Sequence, residues 1–226
     1  MEDFLGRIEE LNEGIAAITE NVNKLKTLNN KILNEPSQTE RQKQVGEQGS
    51  LIHENKTLSK KLQKSLKEEK KKLASTPAES RSNEFSIKKT QVQTVSQRFL
   101  DIWTEYNNLQ VEFRGKNKKA LLRNLRIVDP NSSITLDEIE EKLDRGDVTV
   151  LSSIIKETSQ AKEDLKMIEN RHAEFVKLEK GITEIHEMFM DLTHMVEEQG
   201  EMIDRYNLNF VINFFFIGVK TEFIGV

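Results

Sequence analysis

Four histidines, His53, His172, His186 and His194, are the side chains of this sequence best suited to holding a metal ion. None belongs to an HExxH pair. His186 and His194 are eight residues apart on a helical stretch, too far along it to share an ion, so all four read as surface side chains and no metal site is expected. The absence of cysteine removes disulfides and thiolate ligands. Carboxylates number 38, but no glycine-rich phosphate loop accompanies any pair of them, so the reading is of a non-enzyme that needs no cofactor. The chemistry that stands out is that of an amide among hydrocarbons. Phe175, Leu178, Ile182, Ile185, Phe189, Leu192, Val196, Gln199, Ile203 and Tyr206 alternate spacings of three and four without a break. Gln199 interrupts a seam otherwise filled by apolar and aromatic side chains. A polar residue there lowers coiled-coil stability but fixes register and partner number, and an unpaired buried amide would cost about 1–3 kcal/mol. Periodicity alone leaves two readings open: a layer at which partner helices supply hydrogen-bonding groups, or a tolerated glutamine in a two-stranded coil.

The elements that must carry this seam are helices. The 226 residues are 36% hydrophobic and 32% charged, a balance that suits long helices with one apolar face, and only 10 Gly and 3 Pro interrupt them. The first helix is expected from about Glu2 to Leu33, with Phe4, Ile8, Leu11, Ile15, Ile18, Val22, Leu25 and Ile32 on one face. Asn34-Glu35-Pro36-Ser37 breaks it. A second is expected from Gln38 to Leu73, with Leu51, Leu58, Leu62 and Leu66 inward and Lys67, Lys70, Lys71 and Lys72 near its negative C-terminal pole. After a loop at Ser75 to Ser82, a third runs from about Glu84 to Arg126, with Val92, Val95, Phe99, Ile102, Tyr106, Leu109 and Phe113 on one face and Leu121 and Leu125 continuing it. Three such helices with short connections predict an antiparallel bundle over residues 1–126. Residues 127–158 read as a linker, and the last helix starts near Ser159.

The net charge of −4 gives no global attraction to nucleic acid. Lys116, Lys118, Lys119, Arg123 and Arg126 form a basic cluster, readable as an anionic-lipid site or, more simply, as a solvated face near a helix C-terminus. The N-terminal MEDFLGRIEE is charged and amphipathic rather than a signal peptide, so the chain is expected to face the cytosol and its sequons at Asn55 and Asn131 to go unused. From Tyr206 to Val226 only Lys220 and Glu222 are charged, and five of the 11 Phe lie there. The apolar run from Phe210 to Val219 is ten residues, whereas a spanning helix needs about 20. No transmembrane helix is expected in this chain.

The stretch RHAEFVKLEKGITEIHEMFMDLTHMVEEQGEMIDR, from Arg171 to Arg205, closely resembles the SNARE motif of plasma-membrane-type syntaxins, almost letter for letter in KLE, EMFMDL and MVEEQGEMIDR. MEDFLGRIEELNEGIAAITENV looks like the family's first regulatory helix, and IKKTQVQTVSQRFLDIWTEYNNLQVEFR, from Ile87 to Arg114, like its third. LDEIEEKLDRGD resembles the linker that helps hold syntaxins closed, with Ile139-Glu140 where the family commonly has Leu-Glu. The resemblance implies an all-α protein: a three-helix bundle of the Habc type plus a long SNARE coiled-coil helix, residues 159–205. It implies that Phe175, Leu178, Ile182, Ile185, Phe189, Leu192, Val196, Gln199 and Ile203 are partner-binding layers, with Gln199 at the central polar layer. The implied partners are SNAREs of the synaptobrevin and SNAP classes and a Sec1-type SM protein. The implied role is that of a SNAP receptor in vesicle docking, membrane fusion and exocytosis, with membrane association at the plasma membrane or an endomembrane.

Two departures from the family pattern stand out. The sequence begins where the family's first helix begins, so the short extension that precedes it in many syntaxins is expected to be missing, and the resemblance stops near Arg205, just past the central layer, where residues 206–226 stand in place of the rest of the zipper. The expectation is of a form truncated after that layer. Its alternative function is that of a soluble regulator which competes for SNARE or SM partners without driving fusion.

Overall fold

The computed structural model describes residues 1–76, 83–128, 138, 141 and 162–197. Its long elements are four helices: α1 (Glu2–Asn34), α2 (Gln38–Ala74), α3 (Asn83–Val128) and α4 (Lys162–Glu197). Helix α1 stops where Glu35, extended at φ −75° and ψ 116°, precedes Pro36, because a proline disfavours helical backbone in the residue before it. Ser37 then starts α2, its hydroxyl accepting the Glu40 backbone N–H at 3.4 Å. The Arg41 guanidinium reaches back to donate to the Ile32 carbonyl, satisfying an acceptor that the end of α1 leaves open. The tight α1–α2 connection is thus tied at both ends.

The chain divides into two compact units. One comprises Met1–Val111 with Ile182–Gly200, the other Glu112–Gly181 with Glu201–Val226. In the first, the antiparallel sense of α1 and α2 follows from their cross-contacts. Arg7 Nε donates to Glu69 Oε1 at 2.7 Å near one end, and Gln48 Nε2 donates to Asn29 Oδ1 at 2.6 Å near the other. Helix α3 returns alongside α1: Arg98 Nη1 donates to Asn12 Oδ1 at 2.6 Å, and the Lys88 ammonium lies 5.8 Å from the Phe4 ring centre. All eight residues of the α1 stripe are buried. The α2 face differs from its expectation. Leu62 and Leu66 are buried, but Leu51 and Leu58 are only half-buried, and Arg41, Gln48, Asn55, Ser59 and Glu69 occupy interior positions. Such side chains are tolerated inside where partners offset the desolvation, as Asn29 does for Gln48 and Arg7 for Glu69. Burial alone would raise the Glu69 pKa, but hydrogen bonds and charge from Arg7 and Lys72 win and hold it below the ordinary value. On α3 the expected stripe from Val92 to Phe113, and Leu121 beyond it, is buried except Leu109, which is half-buried while Gln110 takes the interior position; the side chain of Leu125 lies outside the described ones.

Gly14 lets Leu62 of α2 pack against the backbone of α1: a Cβ there would lie 2.7 Å from Leu62 Cδ2. The second unit buries Phe113, Leu121 and Leu122 from α3 and Phe175 and Leu178 from α4. Among the described residues no helix is long and apolar enough to cross a membrane.

Candidate partner-binding seam and its seat

Helix α4 has a wide apolar face because Phe175, Leu178, Ile182, Ile185, Phe189 and Leu192 recur at helical spacing, and all six are buried, Leu192 completely. Met188 and Thr193 are buried beside them. Within the first unit this face is seated on α2 and α3. Lys56 Nζ pairs with Glu184 Oε2 at 2.6 Å, and Gln63 Nε2 donates to the Met188 carbonyl at 3.2 Å, so this part of α4 runs in the same direction as α2. From α3, the Trp103 indole N–H donates to the Ile185 carbonyl at 3.3 Å. Lys56 and Glu184 are each more than a third exposed, so their ion pair orients more than it stabilises. The apolar burial carries the energy, at roughly 1.5–3 kcal/mol per large side chain.

Trp103 is the centre of this seat. It is fully buried and makes edge-on contacts with Phe99 (ring centres 6.1 Å apart) and Tyr106 (5.1 Å). Ser96, Leu100 and Asn107 share its face of α3 by spacing and are buried as well. Helix α3 thus has two buried faces, one for the three-helix interior and one beneath α4. Apolar periodicity points only to the first. The signal for the second lay in Leu100 and Trp103, each one residue beyond a core position, which widens the apolar arc. Polar Ser96 and Asn107 broke the pattern. Beside Trp103, burial pushes the Tyr106 phenol above its ordinary range, against the opposing pull of the Asn55 and Gln110 amides. In the second unit the Arg114 guanidinium, itself buried, lies 5.7 Å from the Phe175 ring centre, a cation–π arrangement.

The remaining sequence candidates are distributed as follows. Val196 belongs to α4, but its side chain is outside the description; Gln199, Ile203, Ile139 and Glu140 lie outside the described residues. Of the histidines expected at the surface, His53 and His194 are exposed, whereas His186 is half-buried, one residue from the carbonyl that Trp103 engages. The basic cluster of α3 does not form one free patch: Lys116 pairs with Glu112 and Lys118 is buried.

Desolvation lowers the His186 pKa below 6.5, with Glu187 opposing. A depressed folded value means that the unfolded or undocked form binds the proton more readily. The stabilising effect is therefore complete above about pH 6.5 and is lost as pH falls below it. Acidification from neutral to about pH 5.5 is expected to loosen α4 from its seat, read as a change in the emission of Trp103, the single tryptophan. His186→Gln should remove that part of the response, and an unaltered pH profile in this variant would assign it to other groups.

Comparison with known proteins agrees with this geometry. The family model described as Syntaxin matches residues 1–155, and that described as SNARE domain matches residues 166–210. A chain in the crystal structure of the Unc18–syntaxin 1 complex from Monosiga brevicollis is similar in fold, with a TM-score of 0.71 at 24% identity, over 94% of this chain and 89% of that one.

Proposed function

The chain belongs to the syntaxin family, and we propose that it acts as the syntaxin-type component of a four-helix SNARE bundle in vesicle docking and membrane fusion, exchanging one apolar seam between its own bundle and partner helices. The observation that carries this reading is the double use of that seam. The residues proposed as layers from Phe175 to Leu192 are those that α4 buries within its own chain. A seam cannot face two sets of neighbours at once, so self-packing competes with assembly, and the balance is a population shift between two packings. The partners proposed are a synaptobrevin-class helix, two helices of the SNAP class, and a Sec1-type SM protein that binds the self-packed form. Ile139 and Glu140 are proposed to bias the chain toward self-packing. Val196, Gln199 and Ile203 are proposed to continue the layers, with Gln199 as the polar one.

Assembly with purified partners tests this reading through Gln199. Gln199→Leu leaves the hydrogen-bonding groups of the facing helices without their amide, at about 1–3 kcal/mol. The variant should fold as the parent does, bind cognate partners roughly ten times more weakly, and discriminate less between partners with and without a polar layer residue. Equal affinity and equal discrimination in titrations of parent and variant would refute the layer assignment.

A further inference from the structure

We propose that the outer face of α2 is a docking surface for an anionic lipid membrane, formed by Lys60, Lys64, Lys67 and Lys71. These four lysines are spaced four, three and four residues apart, so they form a single row along one side of the helix, about 16 Å long. All four are exposed, and together with Gln63 and Glu68 they line a shallow trough of about 350 Å³. None makes an ion pair among the described residues. Only some of the surface lysines elsewhere are paired, among them Lys24 with Glu20, Lys43 with Glu40, Lys88 with Glu84 and Lys116 with Glu112.

The charge is locally concentrated. Residues 60–72 contain seven lysines and two glutamates, a balance of +5 in a chain whose net charge is −4. Attraction to the helix C-terminal pole does not account for it. That field fades within the last turn, whereas Lys60 and Lys64 lie 14 and 10 residues before Ala74. The form of the row indicates its ligand. A single phosphate is best held by convergent donors in a concave site, but four ammonium groups in a line on a stiff helix meet a planar array of headgroups. Residues 60–72 contain no aromatic side chain on which nucleic-acid bases could stack.

The test uses the full chain and protein-free vesicles, so its outcome does not depend on SNARE partners. Co-sedimentation is measured with phosphatidylcholine vesicles and with vesicles in which about one third of the lipid is phosphatidylserine. Each lysine at an anionic surface contributes roughly a fivefold gain in binding. Replacing Lys60, Lys64, Lys67 and Lys71 together by Gln, which keeps helix propensity, should therefore lower partitioning by roughly 600-fold with helix content unchanged by circular dichroism. Lys119→Gln with Arg123→Gln on α3 should leave it unaltered. Binding by the parent should also weaken steeply with salt. The proposal is overturned if phosphatidylserine adds nothing over phosphatidylcholine, or if the fourfold variant binds as the parent does. It is equally overturned if the same lysines bind a DNA duplex or polyglutamate more tightly than the vesicles.

Discussion

Trp103→Ala should speed the capture of partner helices by roughly tenfold while leaving the dissociation of the assembled complex unchanged. The indole is fully buried and spans two environments, Phe99 and Tyr106 on its own helix and the Ile185 carbonyl of α4. Removing a buried Trp costs about 3–5 kcal/mol. Part of that loss falls on α3 whatever α4 does, because the contacts with Phe99 and Tyr106 are local to one helix. If about 1–2 kcal/mol falls on the seating of α4, the freed population rises roughly 5- to 30-fold, and capture that requires a free seam accelerates in proportion. Trp103 is not among the proposed layer residues, so the assembled bundle should not register its loss. Trp103→Phe, which keeps a ring but removes the N–H donor, should show the same trend at smaller amplitude. Stopped-flow association with labelled partner SNAREs, beside thermal unfolding of the free chain, makes the measurement. A variant that melts earlier yet associates at the parental rate would place Trp103 in the stability of the bundle alone.

The difference between what periodicity predicted and what the fold contains has a physical origin in side-chain polarity. The α1 stripe was legible because its eight apolar residues keep one face and all eight are buried. The α4 seam from Phe175 to Leu192 was legible for the same reason, and the break between α1 and α2 followed from Asn34-Glu35-Pro36-Ser37. The α2 interior was not, because Gln48, Asn55 and Glu69 occupy positions where a hydropathy pattern looks for leucine. The burial of Gln48 and Glu69 depends on partners 19 and 62 residues away, Asn29 and Arg7, which no local window contains. The seat for α4 was missed on similar grounds. Ser96 and Asn107 flank Leu100 and Trp103, so the second face of α3 reads as mixed until a fourth helix covers it. His186 shows the same limit: its exposure depends on the helices beside α4, not on its neighbours in sequence.

Leu192→Ala should accelerate dissociation of the assembled complex by roughly a hundredfold, and this separates the seam from its seat. Leu192 is fully buried within the chain's own packing and is also a proposed layer residue. Truncating a buried Leu to Ala costs about 2–5 kcal/mol through lost transfer energy and the cavity left behind. In Leu192→Ala that cost applies to both packings, because the same side chain is inserted in each. Self-packing weakens, so capture also speeds up, but the assembled bundle weakens by a comparable amount. Equilibrium affinity therefore changes less than either rate, since the two losses oppose one another in the exchange between packings. Trp103→Ala acts on one side of that exchange only, and should change the association rate and the affinity together. Measured side by side, the two variants differ in the dissociation rate: parental for Trp103→Ala, and much faster for Leu192→Ala. Equal dissociation rates for Leu192→Ala and the parent would remove Leu192 from the partner interface and leave α4 with a single use, the one seen in its seat on α2 and α3.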